Sequence, residues 1–195
     1  MITVRPTEWN GQIGTRQIET CQIAALQGAS SATIQALLND FAYRALRQGY
    51  RVAGVIELAT GAADAGLRRR VVRDLSTGAV MSISQDLGQG STACNLDPSG
   101  VIDACAAVER GIAAGADIVV LSKFGKLEAE RSGLSGAFRA AIGAGLPVLT
   151  AVSPPMATAW GLFAGPLAQF IPADAGVIDA WWSGIRSGTL LSAAE

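Results

Sequence analysis

The stretch Asp117–Arg131, DIVVLSKFGKLEAER, decides the fold class. A short β-branched run, Ile118-Val119-Val120-Leu121, breaks abruptly into a loop dense with charge: Lys123, Lys126, Glu128, Glu130 and Arg131. An apolar run of this length between polar flanks reads as a fully buried strand. Helical patterns stand on both sides of it, the arrangement of an α/β domain with a parallel sheet. Ligands of open α/β sheets bind in the crevice beyond the carboxyl ends of the strands. The charged loop leaves the carboxyl end of what should be a central strand, so it predicts a site as well as a fold.

Toward the N-terminus, Gln22–Leu26 is a strand candidate. It runs through Gln27-Gly28-Ala29-Ser30-Ser31 into a helix with Ile34, Leu37, Leu38, Phe41 and Ala45 on one stripe. Ser30 or Ser31 can cap that helix and Gly49 stops it. Arg51–Leu58 resumes as a strand and completes a βαβ unit. Such a turn offers backbone N–H groups and a dipole end to a phosphate. The full phosphate-loop pattern is G-x-x-x-x-G-K-[ST]. Here the segment is GASSAT: Gly28 and Thr33 remain, and Ala32 stands about where the lysine should be. Two readings stay open. Gly28, Ser30, Ser31 and Thr33 form a degenerate phosphate-binding loop, or they form an ordinary strand–helix turn of the same composition.

Further along, Thr60–Leu67 reads as a loop and RRRVVRDLSTGAVMSIS (68–84) as a β-hairpin with a polar, Gly-containing turn. Its arginines, Arg68, Arg69, Arg70 and Arg73, offer an anion-binding or acidic-partner surface, or else protect a solvated edge strand from aggregation. Gln85–Asn95 is a Gly-rich loop holding Asp86, Ser91, Thr92 and Cys94. Cys94 is a ligand or redox thiol, or a small buried residue. Asp97 and Pro98 open a helix with Val101, Cys105, Val108 and Ile112 on one face, which places Cys105 in the core.

Beyond the deciding stretch, Ser132-Gly133 leads to a helix carrying Leu134, Ala137, Phe138, Ala141 and Ile142, ended by Gly143 and Gly145. Pro147–Val152 is a buried strand, and Ser153-Pro154-Pro155 forces an extended exit. Trp160, Phe163 and Phe170 fall in a turn-rich connector. The last helix, Asp174–Arg186, has Val177, Ile178, Trp181, Trp182 and Ile185 on one wide apolar stripe. That stripe covers the core or meets another subunit.

The 195 residues suit one domain, expected over 17–195, with residues 1–16 as a flexible N-terminal arm. Half the residues are apolar and 16% are charged, so a packed globule is expected rather than disorder. A net charge of -1 gives no pull toward nucleic acid or anionic lipid. There is no histidine, and Cys21, Cys94 and Cys105 are far apart, so no Ser-His-Asp triad, common zinc set or disulfide framework is expected. Unpaired thiols suit a reducing cytoplasm. No apolar run approaches the roughly 20 residues of a membrane span. The first residues lack the apolar centre of a secretory signal.

The blocks VAGVIE, RDLSTG, CNLDP, LSKFGKLEAERSGL and GLPVLTAV resemble an uncharacterised bacterial family related to nucleoside-triphosphatases, often encoded beside molybdate-transport or nitrogenase genes. The resemblance covers roughly residues 23–182, and FGKLEAE is its most specific piece. It implies a three-layer, mostly parallel sheet of P-loop NTPase type, with the antiparallel hairpin at one edge. The related nucleoside-triphosphatases end the equivalent strand with Asp-Glu, the Asp orienting Mg²⁺ and the Glu activating water. Here those positions are Ser122 and Lys123. With Ala32 in place of the loop lysine, three parts of a phosphoryl-transfer site are missing.

The sequence therefore predicts a protein that binds a small anion (nucleotide, phosphate, molybdate or tungstate) on an NTPase-like scaffold, without efficient hydrolysis. Gly28, Ser30, Ser31, Thr33, Lys123, Lys126 and Arg131 are its candidate ligand-binding residues, with no catalytic or metal set. One alternative is a divergent Mg-dependent nucleoside-triphosphatase using Glu128 or Asp86 on the metal. Another is a scaffold subunit, homo-oligomeric or otherwise, whose interface is the tryptophan helix. The plain alternative for Lys123, Lys126 and Glu128 is a surface salt-bridge cluster.

Overall fold

Runs of four to six apolar, β-rich residues are too short to be helices and too apolar to lie at a surface; here they become the central strands of one sheet. The structure, a computed structural model, describes residues 22–58, 70–85 and 96–187. The N-terminal arm, the Thr60–Leu67 loop, Arg68, Arg69, Asp86, Ser91, Thr92, Cys21 and Cys94 lie outside the described residues. In chain order the elements are β1 (Ile23–Gln27), α1 (Ser31–Arg47), β2 (Val52–Glu57), β3 (Val71–Asp74), β4 (Val80–Ser82) and α2 (Pro98–Ala113). There follow β5 (Ile118–Leu121), a single turn α3 (Lys126–Ala129), α4 (Ser135–Gly143), β6 (Val148–Ala151), α5 (Ala157–Ala164), β7 (Ala168–Pro172) and α6 (Ala175–Arg186).

The sheet order is β4-β3-β2-β5-β6-β1-β7. The four strands expected to be parallel neighbours are so: β2 pairs β5, β5 pairs β6 and β6 pairs β1, all parallel. The hairpin β3–β4 adds an antiparallel pair at the β2 edge. Strands β2 and β5 pack backbone to backbone at Gly54, whose φ is 136°. A Cβ there would stand 1.9 Å from the Val120 carbonyl oxygen, so only glycine fits.

Helices cover both faces. On one, α1 buries Ile34, Leu38 and Phe41, and α6 buries Ile178, Trp181 and Trp182. On the other, α2, α4 and α5 pack over Val55, Val119, Leu121 and Val148. The expected caps form at Ser30, which accepts from the Thr33 N–H at 3.1 Å, and at Asp97, which accepts from that of Ser99 at 3.0 Å; Asp174 adds a third, accepting from that of Val177 at 3.0 Å.

Two expectations need correction, and one left open is narrowed. The segment with Trp160, Phe163 and Phe170 is no turn-rich connector; it holds α5 and the parallel edge strand β7 beside β1. Trp160 is buried against Phe124, Phe138 and Phe163, with ring centroids 5.0–6.1 Å apart. The sequence of α5, ATAWGLFA, is apolar nearly throughout, so it carries no helical period to detect. Trp181 and Trp182 are buried within this chain, Trp182 edge-on to Phe41 and Tyr50, so of the two readings left open for that stripe, core cover or subunit contact, these two rings serve the first. Cys105 is half-buried beside Glu109, where burial pushes its thiol up, rather than fully in the core.

Candidate functional site

The chain leaves β1 for β2 on one side of the sheet, and leaves β6 for β7 on the other. Strand order therefore reverses beside β1, and in open α/β sheets ligands bind at that switch point. A cleft of about 480 Å³ lies there, at the carboxyl ends of β1, β2, β5 and β6.

One wall is the β1–α1 turn. Gly28 takes φ 91°, a left-handed conformation that lets the chain reverse within Gly28–Ser30 before α1 begins. Gly28, Ala29 and Ser31 line the cleft. Ser30 and Thr33 do not; their hydroxyls bond each other at 2.8 Å as part of the helix cap. Ala32 is exposed on α1 and is likewise not a lining residue. Beside Gly28, the Gln27 side-chain nitrogen is buried without a hydrogen-bond partner.

The opposite wall is the β5–α3 loop. Its backbone is held to the end of β6 by the Phe124 N–H donating to the Ala151 carbonyl at 2.8 Å. Phe124 is buried in the aromatic cluster with Trp160, so the loop is rooted in the core. Glu128 is buried, and its two oxygens accept from the Gly125 and Leu134 N–H groups, each at 2.9 Å. Both Glu128 oxygens are thus engaged by backbone amides and hold the loop closed. Gly133, at φ 59°, makes room for it, because a Cβ would stand 2.3 Å from Glu128 Oε1.

With the loop fixed, Lys123 projects at the cleft mouth, 46% exposed, its Nζ 3.6 Å from Glu57 Oε2. Lys126 lines the rim but is 83% exposed and 3.8 Å from Glu130. Arg131 is exposed and does not line the cleft. The structure thus gathers Gly28, Ser31, Lys123 and Lys126 around one cleft, and places Ser30, Thr33 and Arg131 outside its lining.

Two site residues were not foreseen, Glu57 and Gln35, and a third, Arg70, had an anion-binding surface as one of its two readings. Arg70 Nε and Nη2 donate to the two Glu57 oxygens at 2.9 and 3.1 Å, a bidentate pair across β2 and the start of β3. Arg70 therefore belongs to the cleft rather than to a solvated edge. Burial alone would push the Glu57 carboxyl up; the Arg70 bonds and the Lys123 and Arg70 charges outweigh it and hold it below its ordinary value. Gln35, on α1, donates to the Ser122 carbonyl at 2.7 Å and accepts from the Glu57 N–H at 3.3 Å. The lining then carries three cations (Arg70, Lys123, Lys126) against two carboxylates (Glu57, Glu128), an excess of one positive charge.

A family model described as "Protein of unknown function (DUF2478)" matches residues 23–181. The chain belongs to this family. The molybdenum import ATP-binding protein ModC 2 of Bradyrhizobium diazoefficiens is 37% identical over 166 residues, 85% of this chain. The chain spans 18% of that relative's length. The crystal structure of THEP1 from the hyperthermophile Aquifex aeolicus matches with a TM-score of 0.53, at 13% identity, over 85% of this chain and 95% of that one. That likeness is one of fold, and the fold is of P-loop NTPase type, with a mostly parallel seven-stranded sheet and one antiparallel pair. Among the described residues, no helix is long and apolar enough to cross a membrane.

Proposed function

We propose that this domain binds a small anion, a nucleotide, phosphate or molybdate-type oxyanion, at the switch-point cleft, and does not hydrolyse nucleotides efficiently. The observation that carries the reading is the convergence of Lys123 and Lys126 with Gly28 and Ser31 of the β1–α1 turn on one cleft at the carboxyl ends of the parallel strands. An anion oxygen there would meet charged donors, worth about 1.5–3 kcal/mol per hydrogen bond. Lys123 lies beyond normal hydrogen-bond length from Glu57, so its ammonium has donors to spare for such an oxygen. Because the relative is a molybdenum import protein, molybdate is the oxyanion to test first.

The same geometry supports weak hydrolysis. Position 32 faces solvent, Lys123 stands where a carboxylate would be needed, and Glu128 is committed to two backbone amides. A divergent Mg-dependent nucleoside-triphosphatase keeps one specific support, the Glu57 carboxylate at the end of β2. Titration calorimetry with phosphate, molybdate and ADP tests the main reading. Lys123→Ala should weaken binding about tenfold or more, about 1.4 kcal/mol. Equal affinity in wild type and Lys123→Ala would remove the loop from the site. Sustained Mg-dependent ATP turnover, abolished by Glu57→Gln, would replace binding with hydrolysis.

A further inference from the structure

The cleft is larger and drier than an oxyanion requires. Below the charged mouth its walls are Val55, Val72, Ile83, Val101, Ala104 and Leu134, all buried and all on the sheet face covered by α2 and α4. A tetrahedral anion seeks charged or N–H donors, and these six side chains offer none. About 480 Å³, mostly apolar with a few polar groups converging at one end, is instead the form of a pocket for an organic molecule.

We infer that the ligand is an organic anion, a phosphate-type head on an apolar ring or chain, with the head at Lys123 and the body in the chamber between the hairpin, α2 and α4. The inference rests on the anion reading and specifies the class of ligand. Two features argue for this occupant. Among the described residues the lining cations are Arg70, Lys123 and Lys126, all at the carboxyl-end side of the sheet and none on α2 or α4, so a charged head finds its partners at one end. Phe124 also lines the cleft, and its ring is held in the aromatic cluster, so that wall is rigid.

The test compares inorganic phosphate with phenyl phosphate and 2-naphthyl phosphate, which share the head and differ in the body. Calorimetry on the wild-type chain should show each aryl phosphate binding at least tenfold tighter than phosphate. Ala104→Leu and, at the half-buried rim, Leu96→Trp fill the chamber. Both should lower aryl phosphate affinity to that of phosphate while leaving phosphate affinity unchanged, which also shows that the variants are folded. Equal affinities for phosphate and phenyl phosphate in the wild type would overturn the chamber inference alone. So would an equal loss of both ligands in both variants. Tight aryl phosphate binding that ignores Lys123→Ala but falls with Ala104→Leu would keep the chamber and overturn the Lys123 anchor. No binding of any of the three would overturn both.

Discussion

Two loops meet across the cleft, and they are built in opposite ways. The β1–α1 turn is short, small-residued and exposed, with Ser30 and Thr33 facing each other rather than the cleft. The β5–α3 loop is charged and rooted, with Phe124 in the aromatic core and Glu128 binding two amides of its own loop. The first can present backbone and little else; the second presents a side chain from a fixed base. On the proposed reading, recognition moves from the turn, where a phosphate loop concentrates it, to the loop opposite. The same stretch holds two kinds of charge, since Glu128 acts on the backbone and Lys123 stands exposed beside the cleft.

That division can be broken most forcefully at Glu128. Glu128→Ala leaves two amides without a charged acceptor and should lower unfolding stability by about 3 kcal/mol in urea titrations. Glu128→Gln should recover part of it. A loss below about 0.5 kcal/mol would show that the loop holds itself without the carboxylate.

At the other loop, Ser30→Ala removes a helix cap and should cost about 1 kcal/mol. Anion affinity should stay at the wild-type value. A fall in affinity beyond threefold would return Ser30 to the site and erase the contrast.

A smaller effect is expected from pH. The folded Glu57 carboxyl titrates below its unfolded value, so its contribution is fully present above the unfolded pKa, about 4.3, and is lost as pH falls through the lower folded value. Denaturation curves of wild type and Glu57→Gln should therefore converge in slope above that range and diverge below it, the variant losing less as acid is added. Parallel slopes throughout would mean that Arg70 and Lys123 do not hold the carboxylate.

Least of all should follow from Lys126→Ala. An exposed i,i+4 pair at 3.8 Å is within about 0.5 kcal/mol of neutral, and calorimetry should find anion affinity little changed. A tenfold loss of binding would bring Lys126 inward and make the charged loop a two-cation anchor.

The central fold was legible because its signals are local. The apolar runs at 118–121 and 148–151, the Ser30 and Asp97 caps and the LSTG turn each announce themselves within a few residues. Strand β7 escaped because AQFIP is short, half-exposed and ends in proline. Within the site, Lys123 was readable from its place after a buried strand. Glu57 was not, because its run VAGVIE reads as core and its partners lie 13 residues away at Arg70 and in the loop after β5 at Lys123. Gln35 is further still from legibility, an ordinary polar residue in a helix whose two bonds depend on where β2 and β5 end.

Gln35 has a use as an instrument. Strand β5 ends opposite Val55, so the Glu57 N–H has no strand carbonyl on that side and is closed instead by a side chain of α1. Its exchange with deuterated solvent therefore reads the seating of a helix rather than the opening of a sheet. A ligand that draws the first turns of α1 toward the cleft would slow that one amide, and a ligand that lifts them would quicken it. The molecule carries its own position gauge at the tip of β2, with no label attached.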